Sequence, residues 1–211
     1  MSDIRHAYNQ WAASYDSDRN LTRDLDGQVT RALLEGRQPR LLLELGCGTG
    51  KNTPFYAQIA AGVLALDFSE AMLARARSQP LPAAVRFAIA DLTSSLPCVG
   101  GAVDVAACNL VLEHLADLPT VFAEVARVLR PGGTFLICEL HPFKQYVGKK
   151  AVFERDGAQI HIPAYVHHIS DFVRAGELAG LALAHLGEWW HAEDQGLPPR
   201  LISFLFTKLA Q

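Results

Sequence analysis

The chain has 211 residues, half of them hydrophobic and 19% charged, with a formal net charge of -3. That balance fits one soluble globular domain with a substantial core. It excludes the strongly basic surface that draws nucleic acid or an anionic membrane, and no apolar run approaches the length of a membrane-spanning helix. The opening Met-Ser-Asp-Ile-Arg-His is polar and lacks the apolar core of a signal peptide. Cys47, Cys98, Cys108 and Cys138 form no Cys-x-x-Cys pair and fall in or beside apolar stretches. Reduced, packed thiols of a cytoplasmic protein look like this.

In chain order, Tyr8, Trp11 and Tyr15 recur at spacings of three and four, one face of a short helix. A second helix is expected from Asp24 to Gly36. Then Leu41-Leu-Leu-Glu-Leu45, too short and apolar for an exposed helix, reads as a strand buried on both faces. It runs into three glycines spaced two apart, Gly46, Gly48 and Gly50. Glycines there allow a sharp turn and let a ligand reach main-chain N–H groups. A helix over 52–60 tolerates Pro54 in its first turn. Further strands are expected at 63–67, 85–91, 102–109 and 134–140. Helices are expected at 70–77, with Ser69 as N-cap, and at 119–129, stopped by Arg130-Pro-Gly-Gly133.

Alternating strands and helices predict an α/β sandwich, a mostly parallel sheet with helices on both faces. After a helix at 170–179, strands at 182–190 and 201–207 have no helix between them. They should pair antiparallel and close the sheet's edge. Between 140 and 170 lies a long insertion, where Asp156-Gly157 signals a hairpin turn. It leaves from the carboxyl end of a strand, where open α/β sheets bind ligands, so it is a candidate lid. The expected organisation is one domain over 1–211. It comprises a helical cap (1–36), a cofactor-binding core (41–140), a lid or substrate insertion (141–169) and a closing helix with two strands (170–211).

Polar residues sit at successive strand ends. Asp67, 21 positions after Gly46, can accept hydrogen bonds from both hydroxyls of a ribose; capping a helix is the alternative. Asp91 can accept from an exocyclic adenine amine, with Phe68 and Leu92 beside the ring; a solvated turn is the alternative. Asn109 ends the next strand on the same rim. With Glu44 and the glycines these residues outline a nucleoside-shaped site. No Lys-Ser/Thr pair follows the glycines, so they do not form a P-loop.

Five ordered motifs now resemble one family. They are Glu-Leu-Gly-Cys-Gly-Thr-Gly (44–50), Ala-Leu-Asp-Phe-Ser (65–69), Phe-Ala-Ile-Ala-Asp-Leu (87–92), Asn-Leu-Val-Leu-Glu-His-Leu (109–115) and Glu-Val-Ala-Arg-Val-Leu-Arg-Pro-Gly-Gly (124–133). The chain resembles the class I S-adenosylmethionine-dependent methyltransferases. Tyr-Asn-x-Trp-Ala-x-x-Tyr-Asp (8–16) is similar to the start of the small-molecule branch, such as the quinone methyltransferases. The resemblance implies a Rossmann-like, seven-stranded sheet ending in an antiparallel strand. It implies S-adenosylmethionine as methyl donor and S-adenosylhomocysteine as product. Glu44, Gly46 and Gly48 would meet the methionine part, with Cys47 in the same turn. Asp67 would hold the ribose, and Phe68, Asp91 and Leu92 the adenine. Asn109 and Leu110 would lie by the sulfonium. Tyr8, Trp11 and Tyr15 would cover the cofactor, unless they pack as a helix face, and Met72 completes the lining. His114 is expected as a packed, hydrogen-bonded residue.

The acceptor side is less defined. A sulfonium methyl is already electrophilic, so alignment supplies much of the acceleration, and a base is needed only for a protonated nucleophile. His141, directly after a strand, and His168, before the last helix, are the candidate catalytic residues, with Tyr8. A structural role is the alternative for each. His167 and Tyr165 lie nearby. A metal at these histidines is not expected, because no carboxylate set accompanies them. Lys144, Lys149, Lys150 and Arg155 make the insertion locally basic. The expected partner is a small organic acceptor methylated at oxygen, nitrogen or carbon by a monomer or homodimer, with no nucleic acid and no membrane. Two rivals remain: a nicotinamide-dependent reductase, for which Tyr146-x-x-x-Lys150 is a formal match, and a non-catalytic cofactor-binding module.

Overall fold

In the computed structural model the described residues are 2–17, 19–148, 152–155 and 158–210. Asp156-Gly157, Lys149 and Lys150 therefore lie outside the described residues. The strands are β1 (Leu41–Leu45), β2 (Gly62–Asp67), β3 (Val85–Ile89), β4 (Val103–Asn109), β5 (Leu129–Leu140), β6 (Val152–Arg155), β7 (Ala158–His161), β8 (Leu181–Trp189) and β9 (Leu201–Lys208). The helices are α1 (Ser2–Trp11), α2 (Leu21–Leu34), α3 (Thr53–Ile59), α4 (Glu70–Arg77), α5 (Leu118–Val128), α6 (Pro142–Tyr146) and α7 (Ile169–Leu178), with a 3-10 turn at Leu112–His114. Among the described residues no helix is long and apolar enough to cross a membrane.

One seven-stranded sheet has the order β3-β2-β1-β4-β5-β9-β8. The first five strands pair in parallel. β9 pairs antiparallel with both β5 and β8, so the antiparallel pair closes one edge, with the later strand on the inside. The chain builds outward from β1 to β3, then returns to place β4 on the other side of β1. That reversal opens a crevice at the carboxyl ends of β1 and β4, where sheets of this type bind ligands. The glycine turn follows β1, and Asn109 ends β4.

The apolar runs explain the layers. One sheet face packs under α5 and α7, where Phe122 meets Phe135 and Phe206 edge-on at 5.3 and 5.6 Å, and Phe172 stacks on Phe204 at 4.8 Å. The other face packs under α2, α3 and α4 through Leu34, Tyr56 and Leu73. Helix starts follow their caps. Asn20 Oδ1 accepts from the amides of Thr22 and Arg23 at 3.0 and 3.1 Å, so α2 begins at Leu21, earlier than the expected Asp24. Ser69 caps α4, accepting from Met72 N at 3.2 Å.

Within the insertion, β6 and β7 form the expected antiparallel hairpin. The insertion packs on α1: Ile160 and Ile162 join Ile4, Ala7 and Trp11 in one apolar cluster. The stretch after β7 is pinned to the 3-10 turn, with Tyr165 N donating to Glu113 O at 2.7 Å. A short helix, α6, forms over Pro142–Tyr146 and ends before Gly148.

Candidate functional site

The crevice is a cavity of roughly 990 Å³, mouth included, between the strand ends and α1. Its floor is the glycine turn. Gly46, Gly48 and Gly50 all have positive φ, at 69°, 55° and 84°. A Cβ on Gly46 would fall 2.3 Å from Val111 Cγ2, so this position demands glycine for space as well as for conformation. At Gly48 a Cβ would meet nothing within 4 Å and would project into open space.

Asp67, buried at the end of β2, ties this turn to the next one. Its Oδ2 accepts from Gly48 N and its Oδ1 from Ser69 N, both at 2.8 Å. Burial pushes its carboxyl up, against these backbone hydrogen bonds. Glu44, at the end of β1, accepts from Thr53 Oγ1 at 2.6 Å, and burial pushes it up to about 8. Asp26 reaches in from α2. Its Oδ2 accepts from Asn52 Nδ2 at 2.8 Å and its Oδ1 from Asn109 Nδ2 at 2.6 Å. Asn109 Nδ2 also donates to Thr30 Oγ1 at 2.8 Å, and its Oδ1 accepts from Tyr56 Oη at 2.9 Å. The amide of Asn109 is thus committed to a buried network that joins α2 and α3 to β4. Asp91 lies past β3, accepting from Thr93 N at 3.0 Å, with Arg5 at 3.7 Å.

Helix α1 roofs the cavity. Tyr8 Oη lies 2.7 Å from His114 Nε2, and His114 Nδ1 lies 2.9 Å from Pro163 O. A carbonyl can only accept, so Nδ1 carries the proton of the neutral ring, and Tyr8 donates to Nε2. Burial pushes the Tyr8 phenol well above its usual value, so it stays protonated. Asn9 Oδ1 accepts from Ser69 Oγ at 2.6 Å, and Asp16 Oδ1 from Thr49 Oγ1 at 2.7 Å, fastening the roof to its floor. The Arg23 guanidinium lies over the Tyr15 ring at 4.2 Å.

A methyltransferase-domain family matches residues 43–137. The chain is 30% identical over 209 residues to the malonyl-[acyl-carrier protein] O-methyltransferase of Pseudescherichia vulneris, covering 95% of this chain and 73% of that protein. The protein of the same name from Xylella fastidiosa (strain M23) is 34% identical over 174 residues, covering 77% of this chain. The chain spans 56% of that relative's length. The chain belongs to the class I S-adenosylmethionine-dependent methyltransferases. With the family comes its methyl donor, S-adenosylmethionine, and the product S-adenosylhomocysteine. The fold is shared with the crystal structure of an S-adenosylmethionine-dependent methyltransferase from Mesorhizobium loti at a TM-score of 0.71. Identity there is 23%, over 88% of this chain and 99% of that one.

In this methyltransferase the cavity brings together Tyr8, Tyr15, Glu44, Gly46, Cys47, Gly48, Asp67, Phe68, Met72, Asp91, Leu92, Asn109 and Leu110. It does not include His141 or His168, which the structure places elsewhere. His141 Nδ1 accepts from Phe143 N at 3.1 Å, capping α6, and Nε2 donates to Glu188 Oε1 on β8 at 3.0 Å. The side chain turns toward the sheet edge, away from the crevice. His168 precedes α7, with Nδ1 at 2.6 Å from Tyr146 Oη. His167 packs on Phe172 and bonds Leu115 O at 2.7 Å. Trp11 packs among Ile4, Ala7 and Ile162 and is absent from the lining.

No described residue of 141–169 lines the cavity, and Ile160 and Ile162 of the insertion pack on α1. Tyr146, one half of the reductase-like pair, is likewise outside it, and Lys150 lies outside the described residues. Sequence reasoning missed Arg23, Asp26, Asn52 and Val111 as lining residues; His114, expected as a packed, hydrogen-bonded residue, is that and also lines the cavity. Asp26 carried a faint signal, since it lies between Leu25 and Val29 on the buried side of its helix. Among the described residues no group of three His, Cys, Asp or Glu is placed to hold a metal ion.

Proposed function

We propose that this chain transfers the methyl group of S-adenosylmethionine to an oxygen, nitrogen or carbon of a small organic acceptor (EC 2.1.1). The observation that carries this reading is the lining of one cavity. It gathers the glycine turn and the acids from three strand ends under the aromatic face of α1. A cationic ligand would favour the charged forms of three buried acids there, Asp26, Glu44 and Asp67, whose carboxyls burial pushes up, and the open space above Gly48 admits its chain against the turn.

When bound, the cofactor would supply an electrophilic methyl on a sulfonium, with the thioether S-adenosylhomocysteine as leaving group. The residues of this chain bind, orient and exclude water. Asp67 accepts from the ribose hydroxyls with the lone pairs that Gly48 N and Ser69 N leave free. Asp91 accepts from the adenine amine between Phe68 and Leu92. Glu44 and Asp26 face the ammonium end, and Arg23 the carboxylate. Tyr8 and Tyr15 close the roof. For a protonated acceptor, Tyr8 Oη takes the acceptor's proton while its own passes to His114 Nε2. The imidazolium so formed keeps its Nδ1–H on Pro163 O. A carboxylate acceptor needs no such relay.

The chain is taken to act as a monomer or a homodimer. The free cysteines, three of them buried, suit the reducing cytoplasm. Methyl-labelled S-adenosylmethionine offered with a panel of small carboxylates, phenols and amines tests the reading. Label is expected in a small product and S-adenosylhomocysteine in solution. Label appearing only in protein or RNA, or no calorimetric binding of S-adenosylhomocysteine, would overturn it.

A further inference from the structure

Glu139 is an acid in an apolar strand. It sits in β5 between Cys138 and Leu140, is 2% exposed, and does not line the cavity. Its Oε1 accepts from Val111 N and from Leu112 N, both at 2.9 Å. Its Oε2 is buried with no hydrogen-bond partner among the described residues. One residue earlier, Leu110 N donates to Cys138 O at 2.9 Å. Three consecutive amides, 110 to 112, are therefore all held by β5, two of them by one side-chain oxygen.

The segment so held is strained. Leu110 has φ 57°, the only positive φ at a non-glycine among the described residues. A leucine there is disfavoured, because Cβ crowds the following carbonyl. Such residues persist where the surroundings over-determine them, and they concentrate at functional sites. Here the bend turns Leu110 and Val111 onto the cavity wall, sets Val111 against Gly46, and leads directly to His114.

We propose that Glu139 is a positioning residue that holds the Leu110–Leu112 turn in its left-handed form and thereby shapes the wall against which the cofactor binds. This rests on the methyltransferase reading above. Without Glu139 the amides of Val111 and Leu112 lose their acceptor, and only the bond from Leu110 N to Cys138 O still ties the turn to β5. Burial pushes the Glu139 carboxyl up to about 8, so at neutral pH it is mostly neutral. A neutral acid accepts through one carbonyl-like oxygen, which a glutamine reproduces and a shorter aspartate cannot bring within reach.

Glu139→Ala, Glu139→Asp and Glu139→Gln are compared by amide hydrogen exchange at Val111 and Leu112, by calorimetry with S-adenosylhomocysteine, and by KM for S-adenosylmethionine against kcat. Alanine and aspartate should speed exchange by at least about tenfold and raise Kd and KM by about tenfold. Glutamine should stay within about threefold of wild type in all three. Wild-type exchange and affinity in the aspartate variant overturn the proposal, as does a glutamine variant no better than aspartate. If the alanine variant does not fold, the aspartate and glutamine pair decides alone. A wild-type protein that binds no S-adenosylhomocysteine removes the methyltransferase reading, and the exchange rates still judge the clamp.

Discussion

Asp67 carries two loads with one carboxylate. It fixes the glycine turn and the start of α4 through Gly48 N and Ser69 N, and it lines the cavity. Asp67→Ala should therefore weaken S-adenosylhomocysteine binding by one to two powers of ten, about 1.5–3 kcal/mol, as hydrogen bonds to a charged group do. Calorimetry showing wild-type affinity would take Asp67 out of the site. For the relay, Tyr8→Phe and His114→Ala should bind the cofactor and lose turnover, about tenfold or more. The loss in Tyr8→Phe should vanish with an acceptor already ionised at the assay pH. His141→Ala and His168→Ala should keep wild-type kcat, which steady-state rates check directly. Asp67, Asp91 and the glycines were legible because each stands next to the chain feature that gives it meaning, a strand end and its turn. His141 was not. It also stands at a strand end, but its direction is set by Glu188, far along the chain and on the neighbouring edge. Glu139 left no local trace either, since its partners are amides of another strand's turn.

At the scale of elements, α1 is held from two sides. Below it are polar ties, Asn9 to Ser69 and Tyr8 to His114. Above it are Ile160 and Ile162 from the insertion, packed around Trp11. Trp11, 5% exposed, belongs to that upper contact. Trp11→Ala should cost about 3 kcal/mol or more of stability, the range for a buried aromatic, with affinity falling because the roof loosens. A denaturation midpoint equal to wild type would show that α1 is not anchored there. The aromatic spacing in the sequence revealed the helix but not which ring faces the ligand. Two of the three line the cavity and one faces the insertion, a division that only the packing of a segment about 150 residues later decides. The insertion was expected as a lid; Ile160 and Ile162 of it brace the helix that roofs the site.

For the whole molecule, the buried acids set a pH dependence. Glu44 and Glu139 both rise from 4.5 to about 8, chiefly through burial. The folded state therefore holds these protons when the unfolded chain has released them. Their contribution is fully present below about pH 4.5 and is lost as pH rises through about 8. Stability should fall between pH 5.5 and 8.5, measured as a denaturant midpoint, and Glu44→Gln should flatten the slope. A midpoint that rises over that range would refute the assignment. The fold at this scale was the most legible part of the sequence, because doubly buried strands need unbroken apolar runs and few other structures do.

The position of β9 has a consequence for how the chain comes to fold. This strand fills a slot in the sheet's interior, paired on one side with β5 and on the other with β8. During synthesis β5 and β8 emerge first and have no partner to share until residues 201–208 arrive. A nascent chain therefore carries two unsatisfied inner edges, and the sheet closes only when its last strand is inserted, a slow, long-range step. Shortening the chain by those residues would split the sheet instead of trimming it, removing Phe204 and Phe206 and leaving Phe172 without the ring it stacks on.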